Sequence, residues 1–282
     1  MNPVIRKRIL KLFTYILISI GAFLMILPFI WMISTSFKSP LKVYELPIKW
    51  IPESFDFKNY IRLFTDYNFS LYIFNSLKLT AINIIGNVLS CSLVAYGFSF
   101  LKHKYKNKMF ILLLSTMMLP GVVIFFPQFI LFNHIGWYGT MLPLWVPSFF
   151  GSAFYIFLLR QFFLTIPSEL IDAAKMDGCS DLKILFKIVL PMSKPAIMVI
   201  VIYTFMGVWN DFFGPLIYIV REEQRTVAVA LSYLNSTASY EGTSSIPITM
   251  AASVLLIIPS LIIYFVGQSH ISKGIVFKGV EK

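Results

Sequence analysis

Charge is what this sequence has least of. Only 13% of its 282 residues are charged, against about 25% in soluble domains. Acids are scarcer still, with 13 Asp and Glu to 24 Lys and Arg. So few charges cannot clothe a soluble domain of this length, and a disordered chain would need lower hydropathy. Cysteine is almost missing. Cys91 and Cys179 are too few and too far apart for a disulfide framework or a thiolate metal site. The histidines His103, His134 and His270 are read as loop, outer-loop and tail residues that form no cluster, so no metal centre is expected. No GxxxxGK[ST] loop is present, so the chain lacks the glycine-rich turn that cradles ATP phosphates.

What fills the space is apolar. Hydrophobic residues reach 57%, aromatics 17%, and the mean hydropathy is +0.77. The reading is an all-α, polytopic transmembrane bundle. A helix needs about 20 apolar residues to cross the hydrocarbon layer, and six segments qualify: 12–33, 71–100, 109–132, 142–163, 195–218 and 247–267. Arg6, Lys7, Arg8 and Lys11 precede the first run as in a signal peptide. The run is too long for a signal h-region and no small-x-small cleavage site follows, so it reads as a retained span. The third segment contains Pro120-Gly121 and Pro127, and the fourth Pro147. A re-entrant path through 120–147 is the alternative to two plain spans.

The lysines and arginines set the orientation. With the N-terminus inside, sixteen bases and five acids fall in the inner segments, which accounts for the whole net charge of +11. The outer segments are neutral, and Lys78 and Asp211 cancel within the spans. This is the positive-inside pattern, with both termini cytoplasmic, and it leaves no call for a nucleic-acid partner. The expected organisation is a cytoplasmic tail 1–11, a six-span domain 12–267 and a cytoplasmic tail 268–282. Outside, segment 34–70 is aromatic and interrupted by prolines, with Phe57 to Phe64 as a short amphipathic helix. The outer loop 219–246 ends in a Ser/Thr/Gly-rich run.

The cytoplasmic segment 164–194 reads TIPSELIDAAKMDGCSDLKILFKIVLPMSKP. Ser168 is placed as the N-cap of one short helix, with Glu169 in its first turn. Leu170, Ala173 and Ala174 form its apolar face, and Gly178 supplies a left-handed terminus. Ser180 caps a second helix, with Leu182, Leu185, Phe186 and Val189 on one stripe, and Pro191 closes it. The pattern suits docking against another surface; an ordinary solvated loop is the plainer reading.

Here the sequence resembles the permeases of binding-protein-dependent ABC importers. The family's Glu-Ala-Ala, three residues, Gly pattern is met by Asp172-Ala173-Ala174 and Gly178, with Asp177 before the glycine and Ile188-Val189-Leu190-Pro191 at the end. Asp172 departs from the usual Glu. Trp209-Asn210-Asp211-Phe212-Phe213-Gly214-Pro215-Leu216 resembles the fifth-span signature of the carbohydrate branch. Phe37-Lys38-Ser39, Asn59-Tyr60, Asn75-Ser76 and the tail from Gln268 to Gly279 also fit, so the likeness covers nearly the whole chain. It implies a permease subunit without ATPase chemistry that binds no cofactor, with ATP and magnesium held in a partner ATPase. It further implies a second homologous permease subunit, two ATP-binding subunits or a homodimeric ATPase, and an extracellular or periplasmic solute-binding protein delivering a carbohydrate. Glu169, Asp172, Ala173, Ala174, Asp177 and Gly178 would then couple to the ATPase.

Polar residues inside the spans give the remaining candidates. Ser76, Thr80, Asn83, Asn87 and Ser90 share one face of span two, as helix-to-helix hydrogen bonding or as part of the substrate passage. Asn83, Asn87, Trp209, Asn210 and Asp211 are taken as candidate pathway or gating residues, with bracing of the bundle as the alternative for Trp209. Buried Asp211 needs a partner, and Lys78 is the basic residue in another span that could serve; otherwise Asp211 meets water and Lys78 snorkels. Importers of a polyol, glycerol phosphate or other solute, an ion-coupled transporter, and a non-transporting scaffold or receptor are the competing functions.

Overall fold

In a computed structural model, residues 3–47, 49–240 and 245–275 are described. Every regular element among them is helical. The last stretch of the expected C-terminal tail, 276–282, and part of the Ser/Thr/Gly-rich run, 241–244, lie outside the described residues. The chain divides into two compact units, one of residues 1–69 with 231–258 and one of 70–230 with 259–282.

In the first unit, α1 (Pro3–Ser36) is a long apolar helix whose hydrophobic residues from Ile9 to Ile30 are mostly exposed. Water would not tolerate that surface, whereas lipid does. The chain then turns through a short 3-10 segment (Pro40–Tyr44) and an irregular stretch to α2 (Lys58–Thr65). The residues behind two of the sequence resemblances meet here. Asn59 Nδ2 donates to the carbonyls of Ser36 (2.8 Å) and Lys38 (2.9 Å), so it closes the end of α1. Buried Lys38 donates to Lys49 O at 2.6 Å and lies 4.1 Å over the Trp31 ring. Its ammonium is thereby anchored, and desolvation pulls its pKa down. Further out, hydrogen bonds from Lys42 and Lys49 hold the Glu53 carboxyl down at about 2.

The second unit begins with the body of α3 (Phe69–Phe100), followed by α4 (Lys106–Ser115), α5 (Gly121–His134), α6 (Leu142–Trp145) and α7 (Ala153–Phe163). Then come α8 (Ser168–Met176), α9 (Asp181–Ile184), α10 (Leu190–Met192), α11 (Lys194–Trp209) and α12 (Phe213–Tyr218). Two helices, α13 (Val227–Tyr240) and α14 (Ile246–Ile275), complete the chain. Among the described residues, four helical stretches are long and apolar enough to cross a membrane, or up to six if each of two bent pairs counts as one span.

Two of the expected spans are broken. The segment 109–132 is not one rod: the helix stops before Pro120 and resumes at Gly121, and the two arms meet at 97°. Proline withholds its N–H and forces the preceding Leu119 into extended geometry, which ends a helix. The segment 195–218 is broken as well. Helix α11 ends at Trp209, 16 residues long, which is roughly 24 Å at 1.5 Å per residue. Residues 210–212 leave the helix before α12 starts. The preceding bend, 82° between the arms ending at Met192 and starting at Lys194, leads segment 164–194 into α11. Within 142–163, Gly151 takes φ +86°, which separates a 3-10 turn (Val146–Phe150) from α7.

Candidate functional site

Segment 164–194 forms the two expected short helices joined by a tight turn. Gly178 sits at φ +76°. The Cys179 N–H bonds Ala174 O and the Gly178 N–H bonds Lys175 O, both at 3.0 Å. This paired closure is the Schellman arrangement, and it requires a left-handed residue that only glycine adopts without a Cβ penalty. Ser180 caps α9, its side chain accepting from the Lys183 N–H. Ser168 does not cap α8. It is the first helical residue, with Pro167 at the cap position and no side-chain cap bond.

The expected apolar faces are divided. Leu170 and Ala173 are exposed, while Ala174 is buried together with Ile171. On the second helix Leu185 and Val189 are buried, but Leu182 and Phe186 are exposed and Ile184 takes their place inside. A π turn over Leu185–Val189 adds a residue to the turn, so a strict 3.6 stripe drifts off its face. The buried residues belong to one core that also holds Ala95 and Tyr96 of α3, Ile156, Leu159 and Phe163 of α7, and Ala196 and Ile200 of α11. Each fully buried branched side chain contributes about 1.5–3 kcal/mol, so the segment is fastened to three helices of the bundle. Tyr96 OH donates to Asp181 Oδ1 at 2.8 Å, and Lys175 pairs with the same oxygen at 3.4 Å. Neither contact is visible in sequence, because both depend on long-range packing.

The opposite face is open. Glu169, Asp172, Ala173, Asp177 and Gly178 are exposed, with Leu170 and Met176 beside them, Met176 at 88% of its surface. Nothing lies within 4 Å of where a Gly178 Cβ would stand. The segment is therefore held from one side and presents the other, a small apolar patch bordered by carboxylates.

The polar face of α3 ties helices together within the second unit. Asn75 Nδ2 donates to Glu223 O (2.7 Å) and Arg225 O (3.0 Å), and Ser76 Oγ accepts the Val227 N–H at 2.9 Å. Asn83 Nδ2 donates to Leu144 O at 3.1 Å, Ser90 Oγ to Ser148 O at 3.0 Å, and Asn87 Nδ2 reaches Thr204 Oγ1 at 3.4 Å. Trp209 is 1% exposed and stacks on Phe205, with centroids 5.7 Å apart. Asn210 is exposed and donates to Met206 O at 2.9 Å. Asp211 does not pair with Lys78. Its Oδ1 accepts the Gly214 N–H at 3.1 Å and closes the start of α12, while Lys78 is exposed and makes no ion pair among the described residues.

Apolar helices long enough to cross a membrane, a helix–turn–helix segment fastened to the bundle and a polar break after α11 mark a polytopic membrane protein. Comparison with known proteins assigns it. Residues 86–276 match the model of the binding-protein-dependent transport system inner membrane component, and the chain belongs to that family. It is 30% identical over 275 residues to the lactose transport system permease protein of Rhizobium radiobacter, covering 97% of this chain and 98% of that one. It is 31% identical to the polygalacturonan/rhamnogalacturonan transport system permease protein of Bacillus subtilis, covering 98% and 99%. Among solved structures, a chain of a bacterial ABC transporter involved in import of the acidic polysaccharide alginate matches with TM-score 0.83 and 26% identity, over 94% of this chain and 97% of that one. The family's inner-membrane setting and the apolar helices together place the chain in the cell membrane as a multi-pass protein.

Proposed function

We propose that the chain is the permease subunit of an ATP-driven importer of a carbohydrate, most suitably an oligosaccharide. The full-length likeness to lactose and polygalacturonan/rhamnogalacturonan permeases carries the substrate class. The transport chemistry itself is conformational: this chain forms part of the path, and ATP hydrolysis belongs to a separate subunit. The exposed face of 168–178 supports a lever role, because a force applied there passes through Ile171, Ile184, Leu185 and Val189 into α3, α7 and α11. Glu169, Asp172, Ala173, Asp177 and Gly178 would meet the ATPase, while Ala174 would transmit the force inward. A second permease and a solute-binding protein on the outer side complete the assembly, a reading supported by the family's binding-protein dependence. Asn83, Asn87, Asn210 and Asp211 line or brace the path, with Trp209 as a brace. Both the six-span arrangement with cytoplasmic termini and the placement of 164–194 inside are part of this proposal.

The test is functional. Candidate solute-binding proteins from the source organism are screened against a panel of oligosaccharides and polyols. The assembled complex is then assayed for ATPase stimulation by the loaded binding protein. Stimulation by an oligosaccharide is expected. Stimulation only by a polyol or glycerol phosphate would move the substrate assignment, and ATPase activity indifferent to any loaded binding protein would reject the importer reading.

A further inference from the structure

Beyond transport, the corner between α3 and α4 has the makings of a ligand site. Val94, Gly97, Phe98, Leu101 and Met109 line an apolar cleft of about 390 Å³, and Lys102, His103 and Lys106 stand at its rim. The corner carries four lysines in seven residues, Lys102, Lys104, Lys106 and Lys108. No Asp or Glu occurs anywhere from Tyr67 to Ser168. Among the described residues none of these lysines forms an ion pair. Lys106 Nζ donates to Ser99 O at 3.3 Å, and Lys104 lies 5.5 Å over the Tyr105 ring. The one arginine nearby, Arg160, is already engaged, with its Nε on Phe98 O at 3.2 Å and its guanidinium 4.2 Å over Phe110. Lys102 also borders a second cleft with Asp172 and Lys175, but the rim lysines make no ion pair among the described residues, and they stand above an apolar floor open for a hydrocarbon.

We infer that this cleft binds one anionic phospholipid of the cytoplasmic leaflet, with an acyl chain along Val94, Gly97, Phe98 and Met109 and the phosphate between Lys102 and Lys106. The leaflet rests on the proposed cytoplasmic placement of 102–108; the chemistry of the site does not. Charge complementarity selects the occupant. A protein helix would have to bring its own acids to a corner already at the membrane boundary, whereas an anionic headgroup lies at that depth. Basic pockets between spans on the cytoplasmic side recognise such headgroups, with each lysine contributing about fivefold to binding.

The full-length chain, in its assembled complex, is reconstituted in nanodiscs of phosphatidylcholine and phosphatidylglycerol, and retained lipid is counted by native mass spectrometry. Three variants divide the explanations. Lys102→Gln with Lys106→Gln removes the rim charge. Gly97→Leu fills the floor with the charges intact; a Cβ at 97 meets only Leu101 Cδ1 at 3.9 Å, so the helix tolerates a side chain. Lys104→Gln with Lys108→Gln removes equal charge away from the cleft. The expected result is loss of retained phosphatidylglycerol by more than tenfold in the first two, wild-type retention in the third, and unchanged phosphatidylcholine throughout. Retention that survives both cleft variants overturns the site. Equal loss in the control pair reduces it to general attraction of the corner and overturns it as well. Because the count does not depend on which leaflet supplied the lipid, a failed topology and a failed site give different results.

Discussion

At the scale of single residues, Gly178 and Asp211 carry the sharpest consequences. Gly178 was legible as a helix terminator, since a glycine after Ala-Ala-Lys-Met-Asp ends a helix, and its φ of +76° agrees. A β-branched side chain there incurs the left-handed penalty of roughly 1–2 kcal/mol and covers an open surface. Gly178→Val is expected to leave membrane insertion intact and to lower ATP-driven uptake at least tenfold, read by transport assay against quantified complex. Asp211 was misread. A carboxylate inside an apolar stretch suggested an ion pair, but the backbone leaves the helix at 210–212 and the N–H of Gly214 satisfies the oxygen locally. Pro215 is the cue in the sequence, since it has no N–H to bond the Asp211 carbonyl and its ring crowds that oxygen, but the acceptor role of the carboxylate depends on the fold. Asn caps nearly as well as Asp and Ala does not. Asp211→Asn is therefore expected to assemble normally, Asp211→Ala to lose about 1 kcal/mol of local stability, and Lys78→Met to add independently to either. Complex yield and melting temperature over the mutant cycle check this; rescue of Asp211→Ala by Lys78→Met would reinstate a pair.

At the scale of elements, composition found the apolar segments and missed their bends. Length and hydropathy locate α1, α3 and α14, whose interiors offer no interruption strong enough to stop them. They cannot locate a 97° turn, because Pro127 and Pro259 sit inside helices while Pro120 ends one. The difference lies in what neighbouring atoms supply to the freed backbone groups. Contacts between elements were illegible for the same reason. Gly86 of α3 is an instance: a Cβ there would lie 2.8 Å from the Phe149 ring and overlap Ser148 Oγ. Gly86→Leu should push α3 from the Val146–Phe150 turn, with overpacking of about 1–3 kcal/mol and lower complex yield. Gly207 of α11 has nothing within 4 Å, so Gly207→Ala should retain wild-type yield. Equal yields for the two variants would deny the close approach.

At the scale of the whole molecule, the charge asymmetry is the basis for the proposed sidedness of the loops. The segments proposed as inner hold the entire net charge of +11, so 102–108 and 164–194 are expected to face the cytoplasm. Single cysteines at positions 106 and 183, in a background with Cys91 and Cys179 replaced, are expected to resist an impermeant thiol reagent in sealed right-side-out vesicles and to react after permeabilisation. Labelling without permeabilisation would invert the arrangement. The central claim reaches further, to ATP-driven movement of a carbohydrate through an assembly that contains this chain. The most direct measurement is uptake of a labelled oligosaccharide, carried by its solute-binding protein, into sealed vesicles holding the reconstituted complex. The account predicts accumulation that requires ATP on the cytoplasmic side, the binding protein on the other, and an intact 164–194 segment. Uptake driven by an ion gradient without ATP, or undiminished after disruption of that segment, would contradict it.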